Sequence, residues 1–419
     1  MHALAVVLYD VRTISCATII IFGFAFNDEW YTPPLVRTWP QPSPSTHTKG
    51  GSDFSRNFFV IHTMVRTRVF AEGWLKINDR YDFFETLHTC GYLIDCWAMT
   101  EWPERTVRRF LPARVRADSY GEFTVPKKTG GTRSICAPVQ PLKKVQRALG
   151  AMLQALFEPS EAAMGFVTGR SVVANARCHL HQNCVLNLDL ENFFPSITKP
   201  MVCRALEREL ADRIPSSEVR NLICNLCTIP NQSGIEVLPQ GAPTSPVLSN
   251  IVLKRLDRQL AAFAGVHGYN YTRYADDITF SHDRPIRRFS PFFMERIRSI
   301  IGEYGLKIND RKTKVSVRGE RLEVTGLTAG EKVNVPRNYI KQLRTLLHLW
   351  EHYGYEQAQR IYNRDFCHGT NKNLKTVIYG KINYLAMVKG REDPTVVGYR
   401  NRFRWLVQIA KAECLTDNS

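Results

Sequence analysis

The feature that most constrains this chain is a pair of adjacent aspartates, Asp276 and Asp277, within the sequence RYADDITF. The flanking residues are apolar and β-prone, so the pattern predicts a hairpin with both carboxylates at its tip. Two like charges side by side repel each other. Divalent cations relieve this repulsion, because Mg²⁺ takes hard oxygen ligands. A solvated acidic turn is the alternative reading of these residues.

A third carboxylate, Asp189, stands near the end of another apolar run, in CVLNLDLENFF. Carboxylates at the ends of two predicted strands suggest a site for two metal ions. Such a pair can activate an attacking hydroxyl and stabilise a leaving pyrophosphate. The expected cofactor is therefore Mg²⁺ as two ions, with Mn²⁺ as a substitute, and the expected substrate is a nucleoside triphosphate.

Charge and composition narrow the class of partner. The 419 residues are 44% hydrophobic and carry a formal net charge of +17. A sizeable core and an affinity for polyanions follow, with nucleic acid as the first partner and an anionic membrane surface as the second. Eleven cysteines form no regular framework, which indicates reduced thiols in a cytosol. Cys224 and Cys227 are interpreted as residues packed in the core.

The first sixty residues differ from the rest. Ile14 to Phe26 is an apolar run that is short for a membrane span, and a Pro/Ser/Thr-rich stretch follows it. A reading frame that truly starts at Met64 would explain both segments, and a membrane anchor is the alternative. No membrane partner is expected.

The remaining sequence predicts an α+β fold. Helical patterns precede a basic hairpin with a Gly-Gly turn, and helices then alternate with the two carboxylate-bearing strand regions. After Pro336 the chain is nearly all helical, and residues 321–419 hold 16 Lys/Arg against 9 Asp/Glu. The last hundred residues thus form a basic helical region.

The order of these motifs resembles the palm of reverse transcriptases: a basic hairpin, LDLENFFPSI, LPQGAPTSPVLSN, the YADD hairpin and GLKINDRKTKV. NARCH and VTG are similar to the NAxxH and VTG elements of bacterial retron reverse transcriptases. The resemblance runs from about Arg66 to the C-terminus. It implies a right-hand polymerase with fingers, a palm with an antiparallel sheet and YADD hairpin, and a helical thumb.

The resemblance also implies four regions. They are an N-terminal extension (1–63), a helical region (64–116), fingers and palm (117–320), and the palm end with the basic thumb (321–419).

The resemblance assigns roles to individual residues. The catalytic metal ligands would be Asp189, Asp276 and Asp277, with the Leu190 carbonyl as an additional ligand. The nucleotide-binding residues would be Lys127, Lys128, Arg133, Phe194, Gln240, Gly241 and Lys312. Among these, the ring of Phe194 would crowd a ribose 2′-OH and select deoxynucleotides. The alternatives are core packing for Phe194, an ordinary turn at Gln240 and Gly241, and solvated basic side chains for the others.

A second set is expected to bind RNA: Asn175, His179, Val324, Thr325, Gly326, Lys341, Arg344, Lys375, Lys381 and Lys389. For the NAxxH and VTG residues, local hydrogen bonds and a strand-end turn are the alternative. A zinc site at Cys178 to His181 is disfavoured, because no further ligands stand at suitable spacing.

The partners implied are a cognate structured noncoding RNA that serves as template and primer, its DNA product, and deoxynucleoside triphosphates. An effector protein encoded nearby and a cellular RNase H acting in trans are implied as well, in anti-phage defence. Other defence-associated or group II intron-derived reverse transcriptases, and a catalytically idle RNA-binding scaffold, are the competing hypotheses. Phe194 argues against an RNA-dependent RNA polymerase.

Overall fold

The structure, a computed structural model, describes residues 25–26, 29–30, 76–94, 103–110, 118–126, 131–366 and 372–416. The chain divides into two units, Met1–Gly51 and Ser52–Ser419. In the first unit, β1 (Ala25–Phe26) pairs antiparallel with β2 (Glu29–Trp30). The predictions for the remainder of the N-terminal extension lie outside the described residues. None of the helices in the described ranges combines the length and apolar character needed to cross a membrane.

The second unit contains the other helices and strands. Its helices are α1 (Arg80–Leu93), α2 (Pro103–Arg109), α3 (Gln140–Leu156), α4 (Val172–Arg177), α5 (Lys199–Leu210), α6 (Ser217–Cys227), α7 (Ser245–Val266), α8 (Pro291–Gly302), α9 (Arg337–Asp365), α10 (Leu374–Lys389) and α11 (Pro394–Thr416). Its strands are β3 (Tyr120–Pro126), β4 (Thr132–Pro138), β5 (Cys184–Asp189), β6 (Ile229–Pro230), β7 (Glu236–Val237), β8 (Asn270–Tyr274), β9 (Asp277–His282), β10 (Lys314–Val317), β11 (Glu323–Val324), β12 (Leu327–Ala329) and β13 (Val333–Asn334). Single 3₁₀ turns occupy Phe194–Ser196 and Asp310–Lys312.

The central layer is a four-stranded antiparallel sheet in the order β10-β5-β9-β8. Its strands are rich in β-branched and aromatic residues, which suit a pleated surface packed on both sides. Helix α7 packs against β8, and its buried leucines share one core cluster with Ile278 and Phe280 of β9. Cys224 and Cys227 of α6 belong to the same core, as predicted.

The hairpin of β3 and β4 precedes the central sheet along the chain. Its seven residue pairs run from Tyr120 opposite Pro138 to Pro126 opposite Thr132. Strand β3 is exposed along most of its length, whereas α3 is amphipathic and buries one face against α1. The hairpin is thus exposed along β3 and at the Thr132–Ser134 end of β4, whereas β4 becomes partly buried toward Pro138.

The C-terminal helices α9, α10 and α11 build a second hydrophobic core. Helix α9 is interrupted at Gly354, whose φ of 71° and ψ of 169° are not helical and suit a residue without a Cβ. Arg402 of α11 forms an ion pair with Glu351 of α9. Val173 and Ala176 of α4 join this core and so link the C-terminal helices to the central sheet.

The α+β class and the antiparallel palm sheet with its YADD hairpin are confirmed. The boundaries of the four predicted regions remain a prediction.

Candidate active site

The three predicted carboxylates come together at one edge of the central sheet. Strand β5 ends at Asp189 and β9 begins at Asp277, and the register places these two residues directly opposite each other. Asp276 lies one residue earlier, at the hairpin tip, where its carbonyl oxygen accepts a hydrogen bond from the Leu190 N–H at 3.0 Å. The backbone of the sheet therefore fixes the spacing of the acidic residues.

Burial and mutual repulsion perturb these carboxyl groups. Burial, and then the charges of Asp276 and Asp189, raise the pKa of Asp277 to about 6. Burial is also the main cause that raises the pKa of Asp276. Burial raises the pKa of an acid, and nearby negative charges that are not balanced by cations raise it further. The site therefore has an excess of negative charge that a cation would neutralise.

Lys312 supplies one positive charge. Its Nζ donates a hydrogen bond to Asp189 Oδ1 at 2.7 Å from the 3₁₀ turn Asp310–Lys312. The lysine side chain is 51% exposed and Asp189 is 13% exposed. Lys312 is thus placed at the edge of the site, where it can leave the carboxylate when another cation binds.

The donor set fits hard divalent cations, because all three side chains offer carboxylate oxygens. Burial, and then the charges of neighbouring aspartates, raise the pKa values of Asp276 and Asp277. Within the described ranges, no three His, Cys, Asp or Glu side chains converge as a preformed metal cage. In this arrangement the Asp189 carboxylate accepts a hydrogen bond from the Lys312 ammonium group. Leu190 is buried and forms an isolated bridge with Ile308.

A fully buried ion pair supports the hairpin tip. Arg273 Nε and Nη2 donate to the two carboxylate oxygens of Asp257, each at 2.7 Å. Arg273 Nη1 also donates to the carbonyl oxygen of Ala275 at 3.2 Å, and Ala275 has a positive φ of 57°. The guanidinium therefore holds the strained residue that precedes Asp276 and Asp277. Sequence reasoning missed this pair, although a charged residue within an apolar helix was a signal.

Gly165 allows a close approach to the same tip. A Cβ built on Gly165 would lie 2.7 Å from the backbone nitrogen of Ala275. Asn250 Nδ2 donates to the Gly165 carbonyl oxygen at 3.0 Å. The loop before α4 is thereby packed directly beneath the aspartates.

Phe194 lies beside the carboxylate edge in an aromatic group. Its ring centroid is 5.1 Å from that of Phe193 and 6.3 Å from that of Phe166. Phe166 also approaches Tyr274 at 6.5 Å, has a φ of 60° and is 40% exposed. Phe193 is buried in the core, whereas Phe194 remains half-buried. Phe166 was not predicted, since only the folded chain brings it to Phe194.

The turn with Gln240 and Gly241 packs against β4. The carbonyl oxygen of Gln240 accepts a hydrogen bond from the Cys136 N–H at 2.8 Å. Gly241 has a φ of 132°, and a Cβ there would meet Cys136 O at 2.9 Å. Glycine is therefore required by both the conformation and the close contact.

The basic groups of the hairpin are only partly described. Lys127 and Lys128 lie outside the described residues. Arg133 is exposed on β4, and its charge is among those that oppose the rise in the pKa of Asp276. Of the three predicted hairpin cations, Arg133 is thus placed within electrostatic range of the carboxylates.

The NAxxH and VTG elements contact each other although 150 residues separate them. Asn175 Nδ2 donates to Thr325 Oγ1 at 3.3 Å. Thr325 and Gly326 form the tight turn between β11 and β12, with φ values of 47° and 79°. Val324 is fully buried. The two motifs thus form one continuous structural unit.

His179 is buried beneath this unit. Its ring nitrogens lie 2.7 Å from Ser281 Oγ and 2.7 Å from Thr272 Oγ1, so it bridges β9 and β8. Its side chain does not reach the surface. A role in RNA recognition through this imidazole remains a prediction, and the present geometry places the ring inside the palm.

His179 predicts a pH-dependent stability. Burial lowers its pKa to about 4, so the folded state binds fewer protons than the unfolded state below pH 6.5. The free energy of unfolding should therefore fall by roughly 3 kcal/mol as pH drops through this window. In urea titrations between pH 7 and pH 4, the free energy of unfolding of His179→Gln should fall less with pH than that of the wild type. The exposed neighbour variant His181→Gln should keep the wild-type profile, and identical profiles for all three proteins would contradict the assignment.

The predicted basic residues of the C-terminal helices fall into two groups. Lys341, Arg344 and Lys375 are exposed. Lys381 lies 4.5 Å from the Tyr339 ring centroid and donates to Gln342 at 3.2 Å, while Lys389 pairs with Asp393 at 3.4 Å. The first group is directly accessible to a polyanion.

Comparisons with known proteins identify relatives of this chain. Residues 125–336 match the family model "Reverse transcriptase (RNA-dependent DNA polymerase)". The Retron Mx65 reverse transcriptase of Myxococcus xanthus is 39% identical, over 56% of this chain and 57% of that protein. The Retron Mx162 reverse transcriptase of the same organism is 34% identical, over 55% of this chain and 53% of the relative. This chain thus spans little more than half the length of these two relatives.

The Retron Ec86 reverse transcriptase of Escherichia coli is 34% identical, over 55% of this chain and 69% of that protein. Among solved structures, a telomerase from Candida albicans aligns with 78% of this chain and 68% of its own, at 11% identity and a TM-score of 0.39.

Proposed function

This chain belongs to the retron reverse transcriptase family, and we propose that it is an RNA-directed DNA polymerase that copies a cognate structured noncoding RNA into single-stranded DNA. The observation that carries the proposal is the register of the central sheet, which sets Asp189 opposite Asp277 and next to Asp276. The raised pKa of Asp277, caused by burial and then by the charges of Asp276 and Asp189, supports the proposal that cations bind here.

Two Mg²⁺ ions would be held by Asp189, Asp276 and Asp277, with the Leu190 carbonyl as an additional ligand. When bound, such ions lower the pKa of a primer hydroxyl and neutralise charge on the departing pyrophosphate. The protein contributes fixed positions for the carboxylates, because sheet hydrogen bonds and the Arg273–Asp257 pair hold the strand ends. Mn²⁺ offers the same preference for oxygen ligands.

The incoming deoxynucleoside triphosphate would be held between the fingers hairpin and the palm. Arg133, together with Lys127 and Lys128, would donate charge-assisted hydrogen bonds to phosphate oxygens. Lys312 would release Asp189 and either bind the triphosphate or protonate the departing pyrophosphate. Gln240 and Gly241 would lie along the nucleotide and template, where a side chain at position 241 would displace β4.

Phe194 would exclude ribonucleotides. Its half-buried ring is held from one side by Phe193 and Phe166, so it cannot easily turn away from a 2′-OH. We expect Phe194→Val to raise the ratio of ribonucleotide to deoxynucleotide incorporation at least about tenfold. Single-nucleotide insertion assays with matched triphosphates measure this ratio. Phe292→Val, at an exposed position on α8, is the control and should leave the ratio unchanged. If Phe194→Val kept the wild-type ratio, Phe194 would not be the residue that excludes ribonucleotides.

The RNA would be recognised at the NAxxH and VTG unit and along the basic thumb. The exposed Lys341, Arg344 and Lys375 suit contacts with the phosphate backbone, and structured RNA is read through many such weak contacts together with its shape. Asn175 and His179 would maintain the Thr325–Gly326 turn and the palm strands that carry this surface.

The product would be a branched RNA–DNA molecule, the msDNA of retrons, primed from a guanosine 2′-OH of the same RNA. Template removal would fall to a cellular RNase H in trans. Together with an effector protein encoded nearby, the complex would act in anti-phage defence in the bacterial cytoplasm.

To test the proposed function, the chain is co-expressed with its flanking DNA in bacteria and small nucleic acids are extracted. The proposal predicts a DNase-sensitive, RNase-resistant band that shortens after debranching and disappears in Asp276→Ala plus Asp277→Ala. If no discrete DNA appears but the purified protein still extends a primer on RNA, the chain is a reverse transcriptase and the proposed retron product is wrong. If both assays fail, the idle RNA-binding scaffold becomes the favoured hypothesis.

A further inference from the structure

A groove lies between helices α10 and α11, and its lining includes Lys375, Tyr379, Phe403, Arg404, Val407 and Gln408. We call it the thumb groove. We propose that the thumb groove binds one unpaired nucleotide of single-stranded RNA, with the base stacked on Tyr379 and the adjoining phosphates held by Lys375 and Arg404. This site is separate from the carboxylate edge and from the nucleotide-binding residues of the palm.

The size and floor of the groove suit a nucleobase. Its volume of about 490 Å³ falls within the range of about 300–1,000 Å³ that small-molecule sites occupy. Phe403 is 8% exposed and forms the floor with the half-buried Val407. Tyr379 is 51% exposed, and its ring centroid lies 6.0 Å from that of Phe403 at 31°. An aromatic ring supported in this way offers a fixed face for stacking.

Two positively charged side chains at the rim of the groove suit the phosphates of a nucleotide. Lys375 and Arg404 are both exposed at the edge of the apolar floor. In the described parts of α9 to α11, the ion pairs are made by Arg364, Lys389 and Arg402, not by these two side chains. Arginine and lysine next to an exposed aromatic ring form the combination that binds single-stranded nucleic acid.

The chemistry selects an unpaired nucleotide over other occupants. Bases inside a duplex are stacked on each other and cannot offer their faces to Tyr379, whereas a loop or a single strand can. A purely apolar partner would leave the two rim cations unmatched. The choice of RNA rests on the proposed function, in which RNA is the strand that reaches the protein unpaired.

Binding of a fluorescein-labelled single-stranded RNA of about 12 nucleotides, followed by anisotropy, tests the proposal on the full-length protein. We expect Tyr379→Ala to weaken binding about tenfold, and Tyr379→Phe to bind like the wild type because the ring remains. Trp405→Ala is the matched control, since Trp405 is a 54% exposed aromatic residue on α11 that does not line the groove. Equal affinities for Tyr379→Ala and Trp405→Ala would overturn the proposal and leave the groove to a protein partner.

A photo-crosslink locates the contact directly. RNA of the same length with 4-thiouridine should crosslink to the tryptic peptide of residues 376–381, which contains Tyr379. Single-stranded DNA of the same sequence and duplex RNA are the comparison probes. If Tyr379→Ala weakens the binding of single-stranded DNA as much as that of single-stranded RNA, the assignment to RNA is wrong. If it weakens the binding of duplex RNA by the same factor, the groove does not require an unpaired base.

Primer extension separates this proposal from the proposed function. With saturating primer and RNA template, Tyr379→Ala should keep the wild-type rate, because Tyr379 is not part of the carboxylate edge. If the wild type extends no primer but Tyr379→Ala still binds RNA more weakly, the polymerase proposal fails and the thumb groove stands. If the wild type extends the primer and Tyr379→Ala binds RNA normally, the thumb groove proposal fails alone.

Discussion

Replacing Asp276 and Asp277 together by alanine should lower DNA synthesis at least about 10³-fold, because the metal ions would lose the carboxylates that fix them. The sheet should remain intact, since its register depends on backbone hydrogen bonds rather than on these side chains. Removal of two repelling, partly buried charges should also stabilise the metal-free protein. Single-turnover primer extension measures the rate, and urea unfolding measures the stability.

Asp283→Ala is the matched control for this variant. Asp283 directly follows the other end of β9, is exposed, and pairs with His282 on the surface. It should keep the wild-type rate of synthesis. If the double variant retained more than about a tenth of the wild-type rate, the carboxylates would be dispensable and the two-metal mechanism would be wrong.

Replacing Arg273 by alanine should have the largest effect on stability. Asp257 would then be a fully buried carboxylate without its cation, a change that costs about 3–5 kcal/mol. The tip residue Ala275 would also lose a hydrogen-bond donor next to Asp276. We therefore expect a lower free energy of unfolding in urea together with reduced synthesis.

Two further variants separate the roles of Arg273. Arg298→Ala removes an exposed ion pair with Asp310 and should cost less than about 1 kcal/mol. The combination Arg273→Met with Asp257→Leu should recover much of the lost stability, because no isolated charge remains buried. Its DNA synthesis should stay low, since the donor to Ala275 is still missing. Full recovery of synthesis would mean that Arg273 only stabilises the fold.

The sequence predicted the order of the elements because the signals are local. Apolar runs that end at Asp189 and at the Ala275–Asp277 tip fix two strand ends, and turn residues bracket the intervening helices. The pattern after Pro336 likewise predicted helices, which are present as α9, α10 and α11. These patterns depend on neighbours within a few residues, so one sequence is enough to read them.

What the sequence did not predict depends on contacts between distant segments. The RNA-binding role of His179 stays a prediction, but its contacts with Ser281 and Thr272, which hold the ring inside the palm, could not be read from the sequence. Phe166 joins Phe194 only after the loop before α4 packs under the hairpin. A pattern within one segment shows that it has a buried face, but not which other segment covers that face. The contact between Asn175 and Thr325 is of the same kind.

The most direct test of the central claim uses purified protein, a DNA primer annealed to an RNA template of defined sequence, Mg²⁺ and deoxynucleoside triphosphates. We predict a DNA product whose sequence is complementary to the RNA. Its synthesis should require Mg²⁺ or Mn²⁺ and should be lost in Asp276→Ala plus Asp277→Ala. No extension by the wild type, or extension that ignores the template sequence, would contradict the claim that this chain is an RNA-directed DNA polymerase.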